Sequence, residues 1–346
     1  MRSLLSALGV ATLLIVPAPS LRSADGKVSD GLQPFVEKGS LAGAVVLVAS
    51  PDKVLAVEAV GLADREEKVP MRANDVFWIA SMSKPMTAAG LMILVDEKKV
   101  ALDDPVSKYI PEFGKQMLVT EVVKEKEKDK ERVVRVVQEF PKRQPTVRDL
   151  LRHTSGMPFR SDLEEPTLDR FSLKDGVRGY SMTPLQYEPG TKHVYSNAGI
   201  NTAGRVIEVV SGMPYEEFME KRLFAPLGMK DTTFWPNEEQ LKRLAKSYRP
   251  VKDGNSLEAL TVTQLRYPLN DHTRQPMPAG GYFSTAADVA AFGQMILRGG
   301  TTPDGKQLIS KASVREMTST QTGDILNKGK GEGGYGLGFS TTRMSK

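Results

Sequence analysis

The stretch WIASMSKPMTAAG, Trp78 to Gly90, decides how the chain is read: it sets a serine and a lysine three residues apart where a loop turns into a helix. Positions i and i+3 share one helix face. Pro85 places the helix start close to Ser81, because proline is tolerated in a first turn and not deeper. Ser81 then sits near backbone N–H groups that the first turn leaves unpaired, and such groups can hold an oxyanion. A serine hydroxyl is a weak nucleophile at neutral pH and needs a base within hydrogen-bond reach. A lysine serves as that base once burial or a neighbouring cation lowers its pKa. Alone, S-x-x-K is short and common by chance. Ser83 is a rival nucleophile, but its two-residue offset from Ser81 turns it to another face. The continuation MTAAGLMILVDEKK is apolar nearly all round, which predicts a buried helix.

A second constellation lies in EPGTKHVYSNAG, Glu188 to Gly199. Tyr195 and Asn197 are separated by one residue, so an extended segment would point both side chains the same way. A tyrosine phenol can relay a proton if nearby cations depress its pKa. An asparagine amide can donate to a substrate carbonyl and accept from a substrate amide.

Around these motifs the chain reads as strands, then mostly helices, then a strand. AGAVVLVAS and VLAVEAVG, joined by PDK, predict two strands and a tight turn. Residues 117–140 carry β-branched flanks and a charged middle, which predicts a long solvated hairpin, with a helix as the other reading. TVRDLLRHTSG, NTAGRVIEVVSG and STAADVAAFGQMILRGG have helical spacing, and Thr285 and Asp288 are spaced as a capping box. GYGLGFSTT reads as a strand. The fold class expected is α/β of the α+β type: an antiparallel sheet from both chain ends, flanked by helices, with a mainly helical region inserted.

The bulk numbers exclude several functions. In 346 residues, 47 Lys and Arg are nearly matched by 42 Asp and Glu, and no Arg-rich stripe argues for nucleic acid. There is no cysteine, which removes disulfides, thiolate metal sites and cysteine nucleophiles. No G-x-S-x-G elbow surrounds Ser81, Ser155 or Ser196, and no H-E-x-x-H points to a metal. Neither metal nor cofactor is expected. Arg2, the apolar run Leu4–Val16 and the small residues Ala18–Ser20 predict a signal peptide over 1–23, hence export to the periplasm or beyond, with no stable membrane span after its removal.

Taken together and in this order, SMSK, LDDPVSKYIP, TVRDLLRHTSGMP, YSN, PAGGYFSTAADVAAF and GYGLGF resemble the serine β-lactamase and penicillin-binding-protein superfamily. The branch is the one holding class C β-lactamases, D-alanyl-D-alanine peptidases and related esterases, and the resemblance covers most of residues 30–342. It implies a β-lactamase/transpeptidase-like fold. It also implies Ser81 as the acylated nucleophile, Lys84 as its activator, Tyr195 as partner base and acid to the leaving group, and Asn197 as orienter of substrate and Lys84. The implied substrate is a small ester, an amide, a β-lactam or a cell-wall peptide. His153, in RHTSG, falls in what the resemblance makes a structural loop. The superfamily's third motif, Lys-Thr-Gly or His-x-Gly, is found nowhere, so the sequence is expected to stop short of the last strands. Residues 24–115 then form the sheet and nucleophile helix, 116–284 the inserted region, and 285–346 an incomplete return to the sheet. The alternative is a cell-wall-binding relative that keeps the pocket without turnover.

Overall fold

The structure, a computed structural model, describes residues 27–127, 130–251, 256–325 and 333–342. A short helix α1 (Gln33–Glu37) leads into strands β1 (Gly43–Ala49), β2 (Val54–Asp64) and β3 (Val69–Pro70), an antiparallel sheet in that order. The turn expected at PDK closes with Ser50 N–H donating to the Lys53 carbonyl at 2.8 Å. Among the described strands β1 pairs with β2 alone, and Val54, Leu55 and Val57 stay exposed. Strand β4 (Phe77–Trp78) delivers the chain to helix α2 (Ser83–Asp96), in which Pro85 occupies the first turn as expected.

The charged segment is the expected hairpin, β5 (Leu118–Glu127) against β6 (Lys130–Glu139). Helices α3 (Val147–Leu151), α4 (Leu173–Met182), α5 (Asn197–Ser211), α6 (Tyr215–Met219), α7 (Ala225–Leu227) and α8 (Glu238–Lys242) follow. Strands β7 (Ser247–Pro250) and β8 (Leu257–Leu260) form a second hairpin. Strand β9 (Phe283–Ser284) then pairs with β4 and joins the two halves of the chain. Helices α9 (Ala286–Leu297) and α10 (Lys311–Thr318) precede β10 (Gly333–Tyr335) and β11 (Ser340–Thr342). The mixture of helices and antiparallel strands is the expected fold class.

Helix α2 is the axis of the core. Ala88, Leu91 and Leu94 are fully buried, as are Val206 and Ile207 of α5 and Phe218 of α6. Gly90 permits this closeness, since a Cβ there would stand 2.5 Å from the Met219 sulfur. Among the described residues no helix is long and apolar enough to cross a membrane, and the apolar run Leu4–Val16 lies outside them.

Three local expectations are corrected. The helix read over TVRDLLRHTSG stops at Leu151. Thr146 and Asp149 cap its start, but the Asp149 carboxylate also draws in the Thr154 hydroxyl at 2.6 Å and Arg152 at 2.9 Å, and His153 turns left-handed at φ 59°. At α9, Thr285 accepts the Asp288 N–H at 3.2 Å, yet the reciprocal half of the box is spent elsewhere. The Asp288 carboxylate takes Asp231 N–H and the Thr232 hydroxyl, both at 2.8 Å. GYGLGF is a hairpin bend and not one strand, and among the described strands β10 and β11 pair only with each other, so the C-terminal end adds none to β1–β3. The bend drives Leu337 into the core. Leu337 N–H donates to Met317 and Gly338 N–H to Leu151, each at 3.0 Å.

Candidate active site

Ser81 sits on a tight turn between β4 and α2. Ala80 precedes it at φ 44°, a left-handed conformation that costs a non-glycine residue about 1–2 kcal/mol. The turn is held from both sides. Ile79 N–H donates to the Tyr282 carbonyl at 3.0 Å and the Trp78 indole to the Gly280 carbonyl at 2.8 Å. Ser83 is not a second nucleophile. It is fully buried, and its hydroxyl donates to the Ala80 carbonyl at 2.7 Å while accepting Tyr282 N–H at 3.3 Å. The helical offset that separates Ser83 from Ser81 makes it the strut of the turn, and Ser81 is left exposed.

Lys84 is 1% exposed, and its Nζ lies 3.1 Å from Ser81 Oγ. Its other partner is the Ala279 carbonyl, to which it donates at 2.7 Å. Among the described residues no carboxylate hydrogen-bonds it, and burial lowers its pKa to about 7. Near neutral pH a large share of this amine is therefore uncharged. A neutral amine can keep its bond to Ala279 and accept the Ser81 proton on its lone pair.

The Ala279 carbonyl is a functional group that the side-chain pattern could not reveal, because it belongs to the backbone. It is itself anchored. Ala279 N–H donates to Asn201 Oδ1 at 3.0 Å, Asn201 Nδ2 donates to the Tyr180 hydroxyl at 3.1 Å, and Tyr180 donates to the buried Glu164 carboxylate. Thr87, one turn along α2 from Lys84, donates to the neighbouring Pro278 carbonyl at 2.9 Å. The segment PAGGY is thus laced to α2 and α5, and it carries the acceptor that aims Lys84. The sequence signal was Asn201 itself, four residues after Asn197 and so on the same face of α5.

Tyr195 is brought to the same place, but not as the pKa argument expected. The Lys84 Nζ stands over its ring, 4.5 Å from the centroid. Burial raises its pKa above 10, and the neighbouring Ser81 hydroxyl only partly opposes the rise. No cation donates to its hydroxyl among the described residues, because the amine faces the ring and not the oxygen. The phenol therefore keeps its proton near neutral pH, where much of the Lys84 amine is uncharged.

Asn197 lies two residues on from Tyr195, and the chain is not extended through it. Ser196 caps α5, so Asn197 is the first helical residue and is buried while Tyr195 is half-exposed. Asn197 makes no hydrogen bond to Lys84, whose second bond goes to Ala279. Its Oδ1 is buried without a partner among the described residues.

His153 is fully buried and neutral, its pKa pushed to about 3 by burial first and then by Lys84 and His193. His193 is half-buried beside it, and His272 stacks on Trp235. An apolar groove of about 580 Å³ runs beside the Ser81 turn, with Val45, Leu47, Trp78, Met82 and Val289 among its walls. Among the described residues that line it, no side chain is charged.

The family model Beta-lactamase matches residues 28–345. Esterase EstB of Burkholderia gladioli is 32% identical over 241 residues, covering 63% of this chain and 54% of EstB. A putative D-alanyl-D-alanine carboxypeptidase of Salmonella typhi is 30% identical over 296 residues, covering 78% of this chain and 60% of that protein. Among solved structures, the D-amino acid amidase of Ochrobactrum anthropi, complexed with D-phenylalanine, superposes with a TM-score of 0.65 at 25% identity, over 90% of this chain and 79% of the amidase. Fold, motif order and family match agree that the chain belongs to the Beta-lactamase family of serine hydrolases.

Proposed function

We propose that this protein is an exported serine hydrolase that cleaves esters first, and amides second, through an acyl-enzyme on Ser81. The observation that carries this reading is a buried Lys84 amine, without a carboxylate partner among the described residues, 3.1 Å from an exposed Ser81 hydroxyl. Ser81 Oγ attacks the substrate carbonyl carbon and passes its proton to neutral Lys84, so one C–O bond forms and the carbonyl π pair moves to oxygen. Collapse breaks the bond to the leaving group, which takes the Tyr195 phenol proton. The phenolate regains a proton, and the Lys84 ammonium gives one up, through water. Water then attacks the ester on Ser81, and the same groups return the hydroxyl to its starting state. Asn197 is assigned to orienting the substrate, on the strength of its position in the YSN motif.

The described walls of the groove beside the Ser81 turn are uncharged, which supports a neutral acyl group, and the likeness to esterase EstB supports esters. The run Leu4–Val16 supports export. The test is the intact mass after treatment with a fluorophosphonate and, separately, with a penicillin. One adduct on the wild type and none on Ser81→Ala is expected. No adduct, or the same adduct on both, overturns the assignment, and retention on peptidoglycan without acylation would favour a binding protein.

A further inference from the structure

We propose that His153 is a positioning residue that clamps Tyr195 over Lys84, an inference that rests on the acid role given to Tyr195 above. The segment Lys192–Ser196 has no regular secondary structure, and the Tyr195 side chain is partly exposed. Something must hold the phenol in place, and His153 does so from two sides at once. Its carbonyl accepts Val194 N–H at 3.0 Å. Its ring Nδ1 accepts Ser196 N–H at 3.1 Å. These two amides bracket Tyr195. The left-handed backbone at His153 is what lets carbonyl and ring reach the same segment.

The ring then does a second job. Its centroid lies 4.5 Å from that of Tyr195, so it backs a phenol ring that also meets the Lys84 amine and, at 6.4 Å between centroids, the Phe159 ring. The tautomer follows from the bonds. Since Nδ1 accepts, the proton is on Nε2, which donates to the Tyr335 hydroxyl at 3.1 Å. Tyr335 in turn packs against His153 and His193, with centroids 4.8 Å and 5.3 Å away. Tyr335 stands on β10, ahead of the bend bonded to Leu151 and Met317, so the clamp is tied to the core.

A positioning role predicts a chemical signature that a structural role does not. Protonation by Tyr195 matters for a poor leaving group such as an alkoxide and little for p-nitrophenolate, which departs unprotonated. The experiment compares kcat/KM on a p-nitrophenyl ester and an alkyl ester of the same acid, for the wild type, Tyr195→Phe, His153→Ala and His153→Asn. Tyr195→Phe should lose roughly 100-fold or more on the alkyl ester and less than about tenfold on the nitrophenyl ester. His153→Ala should show the same selective loss. His153→Asn should recover most of it, since asparagine tolerates left-handed backbone and sets an amide oxygen where Nδ1 stood.

Equal losses on both esters in His153→Ala, or an asparagine variant no better than alanine, overturn the clamp while leaving the Tyr195 role standing. A Tyr195→Phe enzyme without the selective loss overturns both. Should His153→Ala not fold, Tyr335→Phe removes only the acceptor of Nε2–H. A milder selective loss in that variant supports the clamp, and an unselective loss or none overturns it.

Discussion

Replacing Lys84 with methionine should stabilise the protein at neutral pH and destabilise it at alkaline pH. The side chain is 1% exposed, and its pKa falls from 10.5 to about 7 because burial penalises the charged form. That drop, at about 1.4 kcal/mol per pH unit, corresponds to roughly 5 kcal/mol of folding free energy. The sign is fixed by linkage. Below about pH 7 both the folded and unfolded chains hold the proton, and the folded state bears the whole penalty. Between about pH 7 and 10.5 the unfolded chain binds more protons than the folded one, so wild-type stability rises with pH. Above that range the penalty is gone. Methionine fills similar space without titrating, but it leaves the Ala279 carbonyl without its donor, a pH-independent cost of about 1–3 kcal/mol. The difference should therefore favour Lys84→Met by roughly 2–4 kcal/mol near pH 6 and favour the wild type by roughly 1–3 kcal/mol near pH 10.5. Urea unfolding of both proteins across that range measures it, because every other lysine titrates alike in the two and cancels. A gap that stays constant with pH would refute the reasoning, since it would mean that the amine keeps its charge when folded.

Two further perturbations test the scaffold around the site. Gly338→Ala forces a Cβ to 2.9 Å from Ala88 and 3.2 Å from the Lys84 carbonyl at φ 79°, so unfolding free energy should fall by about 2–5 kcal/mol, read from the urea midpoint, with slower acylation because the first turn of α2 must move. Asn201→Leu leaves Ala279 N–H unpaired and strips the Tyr180 hydroxyl of its Asn201 partner, so the melting temperature should drop and acylation of Ser81 should slow by roughly tenfold to a hundredfold, seen by stopped-flow with a chromogenic ester. An unchanged acylation rate in a destabilised Asn201→Leu protein would show that Ala279 does not aim Lys84.

Much of the site was legible because helical geometry is local. Ser81 and Lys84 meet through their i, i+3 spacing, and Pro85 in the first turn of α2 dates the helix start to within a residue or two. The hairpin at 117–140 was legible for the same reason, since β-branched flanks and a charged middle suit two solvated strands. What escaped depends on contacts distant in sequence. The carbonyl that holds Lys84 comes from Ala279, 195 residues later, and no side-chain pattern marks a backbone oxygen. Asp288 reads as half of a capping box until a loop from 231–232 competes for its carboxylate. GYGLGF alternates like a strand, but a Cβ at Gly336 would stand 2.0 Å from the Met317 carbonyl, and that close approach bends the chain. Tyr195 does lie against Lys84, but burial raises the phenol where a cation was expected to lower it, because composition cannot say that the lysine faces its ring.

The most direct test is the pH dependence of Ser81 acylation, measured in a single turnover with a nitrophenyl ester and confirmed by mass on the Ser81 peptide. The rate should rise about tenfold per pH unit at acid pH, bend near pH 7 and stay level above, tracking the neutral fraction of Lys84. A bend near pH 10, a flat profile, or label on a residue other than Ser81 would contradict it.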